Sequence, residues 1–254
     1  MSQNVTILID GRFETFLLPD ADQQVLPGVE WGHFSATFTP AFWAVVARLC
    51  QFESSRSLFR IGATLEEEVT ACLLGGYGIP AEVGLAAFFR LRENGLLNGD
   101  PPAEDVIYQM LSTPLEVGQR EIRYRFARQR SKYVSAALTR LQETSPSTEN
   151  DLEFREYFLE LEGIGPKTAS WITRNWLESD QVAIIDVHIY RAGLLMGLYE
   201  LEESPTKHYF EMENKFLALA QSIGVKASIL DAIIWRQMKD AGKIVFNLID
   251  RVQA

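Results

Sequence analysis

Residues 161–167 read Leu-Glu-Gly-Ile-Gly-Pro-Lys, and a run of this kind leaves a chain few options. Two glycines around one isoleucine permit the positive φ angles of a sharp turn between helices. Pro166 then stands where a helix begins, because the N–H it lacks is one that a first turn leaves unbonded anyway. The run therefore predicts one helix ending before Gly163 and a second starting at Pro166. Lys167 falls in the first turn of that second helix, where the positive end of the helix dipole disfavours a charged ammonium. This lysine has a physical reason to give up its proton. Nineteen residues later the apolar Val-Ala-Ile-Ile of 182–185 leads to Asp186, whose carboxylate reads as the N-cap of a helix from Val187.

The chain has 254 residues, 47% of them hydrophobic and 23% charged. That is enough apolar material for a real core in one large domain or two small ones packed together. No apolar run reaches the length of a membrane span, and Met1–Asp10 lacks the basic-then-apolar order of a signal peptide. A cytoplasmic protein without membrane association is expected. Cys50 and Cys72 sit in apolar surroundings and read as free thiols; two cysteines are too few for a four-cysteine iron–sulfur cluster. His33, His188 and His208 are scattered without ligand-spaced companions, so no transition-metal site is expected.

The formal net charge is −10, the wrong sign for a protein that grips phosphates. The charge is uneven, however. Residues 118–133 hold six basic residues against one acidic one, and a basic helix is expected over about 118–142. Its basic side chains cannot all share one face; some serve solvation or bind the protein's own carboxylates, and others are candidates for phosphate contact.

Upstream, residues 1–40 read as a small β-containing cap: a hairpin around Asp10-Gly11, then short runs near Trp31 and Phe38. Pro40 opens a helix expected to reach Phe52, with Trp43 in its core-facing stripe. Thr64 and Glu67 have the spacing of a capping box. The glycine-rich 75–80 reads as a turn between helices. Helices are then expected over 81–95, up to Pro114, over 206–222 and over 225–241, with residues 142–151 as a polar linker.

Leu-Glu-Gly-Ile-Gly-Pro-Lys followed by Val-Ala-Ile-Ile-Asp-Val-His resembles the helix-hairpin-helix plus Asp signature of the base-excision DNA glycosylase superfamily. The pattern is most similar to the 8-oxoguanine DNA glycosylases. Residues 123–134 and 230–244 are similar to the compact archaeal and bacterial branch of that group. The resemblance implies a mainly α, helix-hairpin-helix glycosylase fold with a small N-terminal β-containing elaboration: a cap over 1–40, then a helical domain over 41–254 carrying the hairpin module at 157–191. It implies excision of an oxidised purine from duplex DNA, with Lys167 as nucleophile and Asp186 as its electrostatic partner.

The residues fit that chemistry. An unprotonated amine can displace a base from the anomeric carbon and stay attached as a Schiff base, and a carboxylate stabilises the positive charge that builds on the sugar. Asp186 also stands as a plain N-cap. Backbone groups of Gly163, Ile164 and Gly165, at a helix start, are candidates to hold a DNA phosphate, joined by Arg123, Arg128, Arg130 and Lys132. The resemblance implies no cofactor beyond a monovalent cation on the hairpin carbonyls. Glu162 departs from the small residue or proline usual before the hairpin glycine, and its charge beside a phosphate is unfavourable. An extruded base needs an aromatic to stack on; Trp235 is the candidate, with Phe246 second, and Trp235 also reads as a core residue of an amphipathic helix. His188 reads as a packing or supporting residue, with acid–base catalysis as the alternative. The acidity and the poorly matching first hundred residues keep an alternative open: a glycosylase-fold accessory or modified-base-binding protein of an antiphage operon, with protein partners and little repair activity.

Overall fold

The structure, a computed structural model, describes residues 1–50, 59–76 and 78–252. They divide into two compact units: Met1–Ser55 with Asp180–Ala254, and Arg56–Ser179. Helices dominate both. The described strands form three separate two-stranded antiparallel ladders.

In the first unit, strand β1 (Gln3–Ile9) pairs with β2 (Arg12–Leu18), Ile9 facing Arg12. Asp10 and Gly11 both take positive φ, 48° and 77°, as a two-residue type I′ turn requires. Val5 and Ile7 point into the core while Thr6 and Leu8 face out, the period-2 pattern of a half-buried hairpin. Gln3 is buried with them. Its amide donates 2.9 Å bonds to the Pro19 and Gly32 carbonyls and accepts from the Phe34 N–H. A second ladder joins β3 (Gln24–Leu26) and β4 (Val29–Glu30). The strand expected near Phe38 is not formed. Phe38 turns through a φ of 71°, which delivers Thr39 to cap α1 (Pro40–Leu49) by accepting the Phe42 N–H. The expected extension of that helix to Phe52 lies outside the described residues. Trp43 is fully buried, as its place in the apolar stripe predicts.

The second unit begins with α2 (Leu65–Leu74), α3 (Ala81–Glu93) and α4 (Glu104–Ser112). Only half of the capping box forms. Thr64 accepts the Glu67 N–H, but Glu67 reaches back to the Ala63 N–H at 2.7 Å instead of to Thr64. The basic helix expected from residue 118 starts later. Residues 115–122 form a hairpin, β5 (Leu115–Val117) with β6 (Arg120–Ile122), and helix α5 spans Ala127–Glu143. Gly118, at φ 61°, favours a two-residue hairpin turn. Leu115, Val117 and Ile122 turn inward while Glu116 and Glu121 face solvent. Then come α6 (Asp151–Leu159), capped by Asn150, and α7 (Pro166–Leu177). The two pack together, and α7 and α5 both pack on α2. The core joins Phe88, Leu91, Ile107, Val134, Phe154, Phe158 and Ile172.

The chain then completes the first unit with α8 (Val187–Leu195), α9 (Tyr209–Ser222), α10 (Ala227–Ala241) and α11 (Lys243–Val252). Gly224 and Gly242, both at positive φ, separate the last three. Helix α8 packs against α10 and α11, and α1 against α10. No single described helix is long and apolar enough to cross a membrane.

Candidate active site

The hairpin between α6 and α7 depends on the side chain that Gly163 lacks. Its φ is 86°, and a Cβ there would collide with the Tyr133 ring of α5. Ile164 buries its side chain and donates its N–H to the Leu161 carbonyl at 3.1 Å. That amide closes the turn itself, so of the three expected phosphate donors Ile164 is already committed. Gly165 caps α7 with extended backbone, Pro166 follows at the first helical position, and the Gly165 carbonyl accepts from Ala169 at 3.0 Å. Lys167 is half-buried in the first turn. Its Nζ lies 3.4 Å from where a Cβ on Gly76 would stand. Gly76 takes a φ of 92°, and the bare backbone there leaves room for the amine. The glycine pair at 75–76 predicts a turn, but nothing in the sequence ties that turn to Lys167.

Two of the four candidate phosphate-binding side chains hold carboxylates of the same unit. Arg128 donates 2.9 Å to Asp105 and 3.5 Å to Glu104, with its guanidinium 3.8 Å from the centre of the Tyr108 ring. Lys132, one turn further along α5, donates 2.7 Å to Glu162 in the hairpin. Hydrogen bonding raises both cations' pKa values, Asp105 acting on Arg128 and Glu162 on Lys132. Arg123 is exposed between β6 and α5. Arg130 is half-buried, its enclosed Nε without an acceptor among the described residues. Of the four, Lys132 is the one whose contact reaches the hairpin turn.

In the first unit, the 182–185 segment is buried, in neither helix nor strand. Buried backbone groups need partners, and here side chains supply them. Ala183 N–H donates to Glu213 at 2.9 Å, Ile184 N–H to Asp231 at 3.0 Å and Ile185 N–H to the Tyr209 hydroxyl at 3.3 Å. Tyr209 in turn donates to the Ala183 carbonyl at 2.7 Å. The sequence reading missed these residues. The available signal was Tyr209 and Glu213, one turn apart on the apolar face that also carries Met212 and Phe216.

This anchored strip ends at Asp186. One carboxylate oxygen caps α8, accepting the His188 and Ile189 N–H groups at 2.7 and 2.9 Å. The other accepts no hydrogen bond from any described residue. His188 meets the Trp235 ring edge-on, centroids 6.2 Å apart. Burial lowers its pKa most; Asp186 opposes that, and Arg191 and Lys239 add to it. Trp235 is 36% exposed and Phe246 48%, so neither is a core residue. Lys239 lies 4.7 Å from the centre of the Trp235 ring, and the Arg191 guanidinium 4.2 Å from that of Phe246. His188 and Arg191, three apart on α8, thus each hold one of the two candidate stacking aromatics. Arg191 and Lys239 were not singled out from the sequence; the i, i+4 spacing of Trp235 and Lys239 was the only hint of the second. Among the described residues no group of three His, Cys, Asp or Glu side chains could hold a metal ion.

A family model described as 8-oxoguanine DNA glycosylase matches residues 48–225. An 8-oxoguanine DNA glycosylase/AP lyase of Methanocaldococcus jannaschii is 34% identical over 131 residues, covering 48% of this chain and 60% of that relative. The chain thus spans about three fifths of that relative's length. The solved 8-oxoguanine DNA glycosylase of the same organism superposes with a TM-score of 0.52 at 26% identity, covering 68% of this chain and 77% of the other. The glycosylase/lyase of that organism in complex with a 15mer DNA containing 8-oxoguanine matches with a TM-score of 0.50 at 26% identity, covering 68% and 79%.

Proposed function

Because the chain belongs to the 8-oxoguanine DNA glycosylase family, whose model matches residues 48–225, we propose that it excises 8-oxoguanine from duplex DNA and nicks the strand through a Schiff base on Lys167. The observation that carries this reading is the setting of Lys167. It stands in the first turn of α7, with its amine over the bare backbone of Gly76. A helix N-terminus disfavours the ammonium, which favours the lone pair that attack requires. The amine attacks C1′ of the damaged nucleotide as the C1′–N9 bond breaks, its electrons leaving with the base, which takes up a proton. The nitrogen sheds one proton, and its lone pair then breaks the C1′–O4′ bond, O4′ taking up a proton as the ring opens to the protonated Schiff base. Loss of a C2′ proton then expels the 3′ phosphate by β-elimination.

Asp186 supplies negative charge to the sugar as it turns cationic, through the oxygen not used for capping. Trp235 and Phe246 offer the stacking faces an extruded base needs. The N–H groups of Gly163, Gly165 and the first turn of α7 take a backbone phosphate. A monovalent cation on the hairpin carbonyls is part of the same proposal; Leu161 already accepts the Ile164 N–H there, leaving that carbonyl one lone pair. The accessory, defence-linked alternative draws no support from the relatives above.

The test is borohydride trapping on an 8-oxoguanine duplex. Wild type should yield a covalent adduct and Lys167→Gln none. No adduct with wild type, or an undiminished one with the variant, removes the assignment.

A further inference from the structure

The cationic face of α5 is occupied by the protein's own carboxylates at the side that meets the hairpin. Lys132 binds Glu162 at 2.7 Å, and Glu162 immediately precedes Gly163, the first glycine of the turn. Four residues earlier on the same face, Arg128 binds Asp105 and Glu104. Both ends of the Lys132–Glu162 pair are exposed, with 53% and 56% of the side chains accessible, and an exposed pair of this kind holds weakly. A carboxylate and a phosphate oxygen are rival acceptors for the same ammonium. This carboxylate is covalently tied beside the helix start where an anion would dock.

We propose that Glu162 is a built-in competitor for the DNA backbone, holding Lys132 until a phosphate displaces it, so that this exchange sets how tightly the protein binds DNA. The proposal rests on the reading of the hairpin face as a DNA-binding surface. A free lysine that neutralises a phosphate gains the full release of the DNA's condensed counterions. In the exchange that gain is reduced, because the displaced Glu162 keeps its charge close to the strand and retains a cation there. The device weakens binding to every duplex alike, undamaged DNA included, because the phosphates it competes for carry no sequence.

The experiment is a salt series of dissociation constants for a fluorescent duplex carrying a tetrahydrofuran abasic-site analogue. Four proteins are compared: wild type, Glu162→Gln, Lys132→Gln and the double variant. Glu162→Gln should bind roughly 3- to 10-fold more tightly at low salt, with a log–log salt slope steeper by about 0.9, the increment for one more neutralised phosphate. That gain should vanish when Lys132→Gln is added. A Glu162→Gln protein that binds no tighter, or whose gain survives loss of Lys132, overturns the proposal and leaves the hairpin reading standing. If none of the four proteins binds the duplex at low salt, the DNA-binding reading falls, and the proposal with it.

Discussion

Asp186 has two jobs that can be pulled apart. As an N-cap it accepts two backbone N–H groups, and asparagine caps a helix as well as aspartate does. As the electrostatic partner of the reaction it must carry charge. Asp186→Asn should therefore leave stability nearly unchanged while slowing base excision by about 100-fold or more. Asp186→Ala should lose the cap as well, about 1 kcal/mol. Single-turnover excision and urea denaturation on both variants decide it; a fully active Asp186→Asn protein would reduce the residue to a cap. Gly163 makes the opposite kind of demand, on shape alone. Alanine there meets both a positive φ and the Tyr133 ring, so Gly163→Ala should destabilise by about 2–4 kcal/mol, read as a drop in the urea midpoint. His188 adds a pH dependence. Its folded pKa lies below the ordinary 6.5, because burial, Arg191 and Lys239 outweigh Asp186. The unfolded chain therefore binds a proton first as pH falls. The contribution to stability is full above about 6.5 and lost as pH drops from there to the folded value. His188→Gln should flatten the pH–stability curve in that window.

At the scale of elements, what could be read from the sequence was what local chemistry dictates. Asp10-Gly11 forces a hairpin turn, Thr64 caps a helix, and Gly-Ile-Gly-Pro ends one helix and starts another. Each works through a few neighbouring atoms. The start of α5 was misjudged because repeated arginines look helical, while Gly118 and the inward Leu115, Val117 and Ile122 outvote them. The buried 182–185 segment was hidden for a different reason. Its partners, Tyr209, Glu213 and Asp231, lie 24 to 47 residues along the chain from the groups they bind, and no local pattern announces such pairs. That arrangement is testable as an element. Tyr209→Phe deletes the hydroxyl that serves both Ala183 and Ile185 while keeping the ring. It should destabilise by about 1–3 kcal/mol, the cost of stranding buried backbone groups. Because the strip carries Asp186, excision should slow as well. A variant as stable as wild type would mean that water replaces the hydroxyl.

For the whole molecule the governing quantity is charge. A protein of net charge −10 is repelled by DNA at a distance, so attraction has to come from groups at close range. Six basic residues over 118–133 read in the sequence as such a patch, yet two of the four singled out for phosphates, Arg128 and Lys132, already hold carboxylates. What the sequence could not convey is that a positive stretch can be neutralised by acids distant along the chain, since charge balance is local in space and not along the sequence. The consequence is quantitative. Of the four basic side chains singled out for phosphates only Arg123 and Arg130 hold no carboxylate among the described residues, so wild type should show a log–log salt slope of about −2 to −4, shallower than that of proteins making six or more phosphate contacts. Fluorescence anisotropy over a salt series measures it directly. A slope steeper than about −5 would mean that the carboxylates release their partners completely on binding, and that the basic stretch acts as the undivided phosphate-binding face its sequence resembles.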